Sequence, residues 1–374
     1  MKSLAFLLFG LLAGCATVQP SRALPTADAH RRFGLDEQVI APWEDGLRTD
    51  STPGTYEWWY FDAHLDDGST LVVVFHTKPF TGTNGPLSPV VQVDLVRPDG
   101  TKVSKTVALP ADQFSASKER CDVSIGKNRF EGDLHEYRIH LDTPELAGDL
   151  TLTGEVEAWR PAAGILAFGA TDEKYFAWLP AVPQGHVEGA LTVEGTRMEL
   201  HGTGYHDHNW GNAPLTELIH DWYWGRARVG EYSVIASFIT ADKKFSGTQF
   251  PIFLLAKGDQ VLAGDGTHVT FSSSDVTTDE VTGKPIASRL EWNYAHDGKR
   301  YRVTFLRKRD LARASMLDLL PGVTRFLARL SGFDGAYHRF TGDVTVEAFE
   351  GETLVDTQTN ATAVWELMYL GHAP

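Results

Sequence analysis

The chain carries Glu57-Trp58-Trp59-Tyr60 and, 164 residues later, Asp221-Trp222-Tyr223-Trp224. Each copy is a carboxylate followed by three aromatics, then a tight turn, then an apolar strand. The strand is Leu71–Phe75 after the first copy and Tyr232–Phe238 after the second. Recurrence of one pattern at a fixed offset marks an internal duplication. It predicts two related halves, at residues 41–212 and 213–374.

Working outward, Asp66-Asp67-Gly68 is a hairpin turn signal before Leu71–Phe75. Further short β-branched or alternating runs stand at Val90–Val96, Leu150–Val156, Gly189–Val193, Arg197–Leu200, Tyr232–Ile239, Tyr301–Phe305 and Asp343–Phe349. This spacing predicts an all-β chain of antiparallel barrels. One segment departs from it. Leu311, Met316, Leu319, Leu320, Val323, Phe326, Leu327 and Leu330 fall at helical spacing, split by Pro321-Gly322. A short helical insertion is therefore expected near 310–330, packed on the second barrel or lying over a ligand entrance.

Hydrophobic residues make up 42% of the 374, enough for two cores, and the 35 glycines and 18 prolines supply the turns. The formal net charge of −15 argues against nucleic acid, whose binders neutralise phosphates with Lys and Arg. Cys15 and Cys121 are the only cysteines, so no disulfide framework or cysteine-rich zinc site is expected. Cys121 is expected to be an inert buried thiol.

The opening reads as an address. Lys2 is followed by an apolar run from Leu4 to Leu12, too short to span a bilayer, and then Leu12-Ala13-Gly14-Cys15. This resembles a bacterial lipobox. Residues 1–14 are expected to be a lipoprotein signal peptide, with Cys15 acylated and 15–40 a Pro- and Ala-bearing tether. Ala16 following the cysteine implies, by the same resemblance, the periplasmic face of the outer membrane.

The densest polar cluster is Gly202-Thr203-Gly204-Tyr205-His206-Asp207-His208-Asn209-Trp210-Gly211-Asn212. In extended form His206, His208 and Trp210 share one face, and Tyr205, Asp207 and Asn209 the other. Three readings stand open. In the first, His208 and Trp210 face an apolar cavity and act on a bound alkene or similar ligand, one giving a proton and the other stabilising a developing cation. Alternatively His206 and His208 ligate a metal, with His201, His220 or Asp221 as third ligand. Or the cluster is a satisfied buried network between the halves. In the other motif, Trp58, Trp59 and Tyr60 fill a barrel floor or line a ligand cavity. Glu57 among tryptophans is either paired or a candidate acid.

At these residues the chain resembles the carotenoid 1,2-hydratase (hydroxyneurosporene synthase) and AttH-like superfamily of double-lipocalin proteins. The carriers are Glu57–Asp62, Gly202–Gly211, Asp221–Gly225 and Val364–Gly371, framing about residues 50–371. The resemblance implies two tandem lipocalin-like barrels around a hydrophobic small molecule: an isoprenoid, polyketide or lipid-like compound. In the hydratases, water adds to a terminal isoprenoid double bond by acid catalysis, without metal or cofactor. Their His and Trp, two apart, fall on His208 and Trp210. The implied catalytic set is His208, Trp210, His206, Asp207, Asp221 and Glu57, with Asp207 and Asp221 orienting the imidazoles. Trp58, Trp59, Tyr60, Tyr205, Trp222 and Trp224 are the implied ligand contacts. The superfamily also holds cofactor-free pericyclases and proteins described as secreted hydrolases. A carrier of hydrophobic ligands beside an exporter is the non-catalytic alternative.

Overall fold

The structure is a computed structural model and describes residues 18–79, 82–319, 325 and 333–370. Among these residues the chain forms a 13-stranded and a 9-stranded antiparallel sheet, the first ending at Gly211 and the second beginning at Ile219. Each curls around its own apolar core, giving the paired lipocalin-like architecture.

The duplicated motifs open equivalent strands. Tyr56–Leu65 pairs with Thr70–His76 on one side and with Thr196–Gly211, the last strand of its sheet, on the other. Ile219–Val229 likewise pairs with Tyr232–Ala241 and with the last strand of the chain, Thr353–Tyr369. Alternation then sorts the side chains. Trp59, Phe61, Ala63 and Leu65 point into the first core, and Tyr223, Ala227 and Val229 into the second. The intervening residues face the other sheet. There a third apolar cluster, including Tyr56, Phe168, Phe176, Trp178, Ile235, Ile239, Phe250 and Ile252, joins the two halves.

Equivalent positions meet at this junction. Tyr60 and Trp224 lie edge to face with ring centres 5.9 Å apart. Asp62 and Arg226, related by the same 164-residue offset, form an ion pair, Arg226 Nε donating to Asp62 Oδ1 at 2.6 Å. Both are almost fully buried.

Two expectations need correction. Residues 15–40 are not a free tether, because the described part is docked. Ser21–Ala23 pairs with Ile165–Phe168, the helix Thr26–Phe33 follows, and Leu24, Ala29 and Leu35 are buried in the first core. Sparse apolar residues anchor a segment whose composition reads as a linker. The first residues of the expected helical insertion, 310–315, are strand instead. They continue the strand Lys299–Ser315, paired with Ala336–Glu350 through two register shifts. These bulges carry the chain outward, and a single 3₁₀ turn, Met316–Leu319, follows. Residues 320–324 and 326–332 lie outside the described residues, as do the signal sequence and Cys15. No helix among the described residues is long and apolar enough to cross a membrane.

Candidate active site

The strand Thr196–Gly211 lies between Tyr56–Leu65 and Lys174–Val193, so its backbone is paired on both edges. Its two faces are buried by different things. His206, His208 and Trp210 look into the first barrel; Asp207 and Asn209 look toward the second sheet. The predicted alternation is correct, but the face assigned to the ligand is not.

The cavity lies on the Asp207 side. It has a volume of about 90 Å³ and walls of Trp58, Tyr60, Phe176, Trp178, Asp207 and Asn209 from the first sheet. Trp222, Trp224, Ser237, Ile239 and Glu366 close it from the second. That space takes the end of an apolar molecule rather than a whole drug-sized ligand.

Asp207 is held in this wall by its neighbours. Its Oδ2 accepts from Tyr205 Oη at 2.7 Å and from Trp178 Nε1 at 2.8 Å, and its Oδ1 from Asn209 Nδ2 at 2.6 Å. Burial pushes its carboxyl up to about 6, against these donors, which favour the charged form. Across the cavity Glu366 accepts from Trp222 Nε1 at 3.3 Å, and burial raises its pKa as well. Half-buried Arg339 lies beside Glu366 and Asp62; its charge opposes the rise at Glu366 and adds to the lowering at Asp62.

His206 and His208 serve a different structure. Asp45, at the end of the turn Pro42–Asp45, places its carboxylate in the first core. It accepts from Tyr137 Oη at 2.5 Å and faces His206 Nε2 at 3.1 Å. The other ring nitrogen of His206 donates to the Tyr60 carbonyl at 2.8 Å, because a carbonyl only accepts. Burial pulls the His206 pKa down, and the Asp45 carboxylate more than offsets this, leaving it raised. His208 is fully buried between Trp59 and Trp210, ring centres 4.6 and 4.7 Å away. Its Nε2 faces Glu57 Oε1 at 2.8 Å and its Nδ1 the Glu44 carbonyl at 3.3 Å.

The expected catalytic set therefore divides. Asp207 alone lines the cavity; His206, His208, Trp210 and Glu57 belong to the first core. Glu57 is no free acid, since Arg48 N, Thr49 N and Thr49 Oγ1 also donate to it. Asp221 orients neither imidazole of the cluster. Its partners are His220 Nδ1 at 2.5 Å and Thr240 Oγ1 at 3.4 Å. Of the expected ligand contacts, Trp58, Tyr60, Trp222 and Trp224 line the cavity. Trp59 is core, and Tyr205 stands behind Asp207 as its hydrogen-bond donor.

Trp178, Phe176, Asp45 and the place of Glu366 in the cavity wall were missed in the sequence. Trp365-Glu366 repeats the carboxylate-beside-tryptophan signal of Glu57-Trp58, which was available. Nothing local marks Asp45 or Trp178. Among the described residues, Asp45, Cys121 and His206 form a group of metal-ligand type, with ligand atoms within 4.8 Å of one another. His208 is not part of it. Burial holds the Cys121 thiol well above its ordinary pKa, so it is a poor thiolate donor.

Two stacked lipocalin-like halves with an aromatic, carboxylate-bearing cavity between them define the class of protein. The Diels-Alderase-like family matches residues 48–280, and the chain belongs to it. It is 29% identical over 200 residues to the quinolone epoxide rearrangement protein of Emericella nidulans, covering 48% of this chain and 53% of that protein. It is 22% identical over 209 residues to the acyclic carotenoid 1,2-hydratase of Rubrivivax gelatinosus, covering 51% and 50%. The chain thus spans about half the length of these relatives. An AttH-type structure from Nitrosomonas europaea superposes with a TM-score of 0.58 at 15% identity, over 89% of this chain and 97% of that one. That likeness concerns the fold alone.

Proposed function

We propose that the chain is an enzyme that holds one end of an isoprenoid, polyketide or similar apolar molecule between its halves. There Asp207 moves a proton, and water adds or a ring closes without a cofactor. The carrying observation is a carboxyl whose pKa lies near 6, fixed by three hydrogen-bond donors in the wall of an aromatic cavity. A group poised near working pH both gives and takes protons efficiently. In a hydration, the Asp207 acid protonates one alkene carbon, and the π pair becomes the new C–H bond. The positive charge develops on the neighbouring carbon, facing the indoles and phenol of the wall. A water oxygen bonds to that carbon, and the Asp207 carboxylate takes the surplus water proton. The names of the relatives, a hydratase and an epoxide rearrangement protein, fit chemistry of this kind.

The test uses an acyclic polyene with isoprenoid ends in ¹⁸O-labelled water, and mass spectrometry of the product. Asp207→Asn is expected to lower turnover by roughly 10²–10⁴-fold, the usual worth of a general acid–base. Binding of the neutral fluorescent probe N-phenyl-1-naphthylamine is expected to persist. Unchanged turnover in Asp207→Asn refutes the assignment. Tight binding by the wild type without turnover of polyenes or aryl epoxides makes the protein a carrier. We also propose that Cys15 is acylated and holds the protein at the periplasmic face of the outer membrane. The mass of the N-terminal peptide tests this.

A further inference from the structure

We propose that the end of the sheets carrying the N-terminal strap is a membrane-apposed face, held close to the lipid headgroups by a short leash. This rests on the acylation of Cys15 proposed above. Only residues 16–18 separate Cys15 from Gln19, whose backbone N–H donates to the Lys244 carbonyl at 2.8 Å. From there the chain is fastened to both halves. Gly169 N donates to Pro20 O at 2.9 Å, and Ser21–Ala23 pairs with Ile165–Phe168 in the first sheet. Ser21 Oγ donates to Phe245 O at 3.5 Å in the second half.

Chain geometry bounds the rest. Each residue spans at most about 3.6 Å, so Cys15 lies within about 14 Å of Gln19 whatever path the chain takes. Acyl chains on Cys15 lie in the hydrocarbon layer, and the headgroup region above it is only about 5–8 Å deep. Gln19, Lys244 and their neighbours must then sit at or just above the headgroups. A free tether of about 25 residues would instead reach roughly 25–30 Å and leave the orientation open.

The composition of this end is compatible with that position. Arg22, Arg31, Arg32, Lys174, Lys243 and Lys244 offset Asp28, Asp172, Glu173, Glu217 and Asp242. An anionic leaflet therefore does not repel this end, although the chain carries a net charge of −15. The cavity wall draws on the same elements. Phe176 pairs with Leu166 of Ile165–Phe168, and Ile239 lies near the end of the strand Tyr232–Ala241, just before the turn Lys243–Phe245. Phe168 and Phe245, directly under the strap, have ring centres 5.0 Å apart.

The experiment uses full-length acylated protein in vesicles of phosphatidylethanolamine and phosphatidylglycerol. Lys243→Cys and Glu231→Cys are labelled separately with a fluorophore, and lipids spin-labelled at the headgroup act as quencher. The strand Tyr232–Ala241 separates the two positions by about 30 Å at ~3.3 Å per residue. The label at 243 is expected to be quenched several-fold more than the label at 231, and an insert of about 20 Gly/Ser residues after Thr17 is expected to abolish the difference. Equal quenching in acylated protein overturns the orientation, and a difference that survives the insert overturns the leash as its cause. The N-terminal peptide mass separates the two readings: an unacylated Cys15 overturns the anchor itself.

Discussion

Replacing Asp62 with Asn is expected to destabilise the protein by about 3–5 kcal/mol, the cost of breaking a buried ion pair from one side. The magnitude follows from the surroundings. Asp62 is 3% and Arg226 2% exposed, so water cannot replace the lost charge. Arg226 donates to Asp62 Oδ1 through both Nε and a terminal nitrogen, and Tyr60 Oη donates to Oδ2 at 3.1 Å. The variant leaves the guanidinium buried, with Arg339 as a second cation nearby. Asn still accepts one hydrogen bond, which places the loss toward the lower end of the range. Denaturant unfolding followed by tryptophan fluorescence measures it, since Trp222 and Trp224 report on the junction. The double variant Asp62→Leu, Arg226→Met is expected to recover most of the loss, because neither charge is then stranded. Burial pushes the Asp62 pKa up and Arg226 more than offsets this, leaving it below 3.8. The pair's contribution is thus present above about pH 4 and lost as the pH falls through the folded value. A loss under about 1 kcal/mol, or a double variant no better than the single, refutes this account of the junction.

Asp207 has the opposite sign. Its pKa is raised to about 6, so its contribution to stability is full below 3.8 and lost as pH rises through 6; Asp207→Asn is expected to flatten that decline in unfolding curves taken from pH 4 to 7. His208→Ala is expected to cost about 3 kcal/mol or more, from lost packing between Trp59 and Trp210. Calorimetry measures that cost; wild-type stability with lost turnover would instead restore a catalytic role. Trp224→Leu is expected to weaken N-phenyl-1-naphthylamine binding about tenfold, since this half-buried indole forms cavity wall; a titration with unchanged affinity places the ligand elsewhere. Gly202→Ala is expected to lower the unfolding midpoint sharply, because its Cβ would lie 2.2 Å from the His64 carbonyl oxygen across the strand pair; an unchanged midpoint contradicts that register.

The site was only partly legible for a reason visible in its residues. Period-two alternation correctly put His206, His208 and Trp210 on one face and Tyr205, Asp207 and Asn209 on the other. A strand exposed on one side betrays its faces by polarity, but here both faces are covered, one by the barrel core and one by the partner sheet. Both faces also carry polar groups, and the imidazoles drew the catalytic reading. Their true partners were out of sequence range: Asp45 lies 161 positions from His206, and Glu57 lies 151 from His208.

By itself the sequence determined the all-β class, the duplication and the division of each strand into two sets of side chains. These follow from local sterics and a repeat written twice in the chain. Tertiary structure decided what covers each set. It turned the histidines into core ties, brought Asp207 and Glu366 to one cavity, and docked the residues after Val18 where composition suggested a linker. Periodicity assigns residues to a face, but the medium beyond that face is supplied by chain distant in sequence, and that medium sets the pKa and the chemistry.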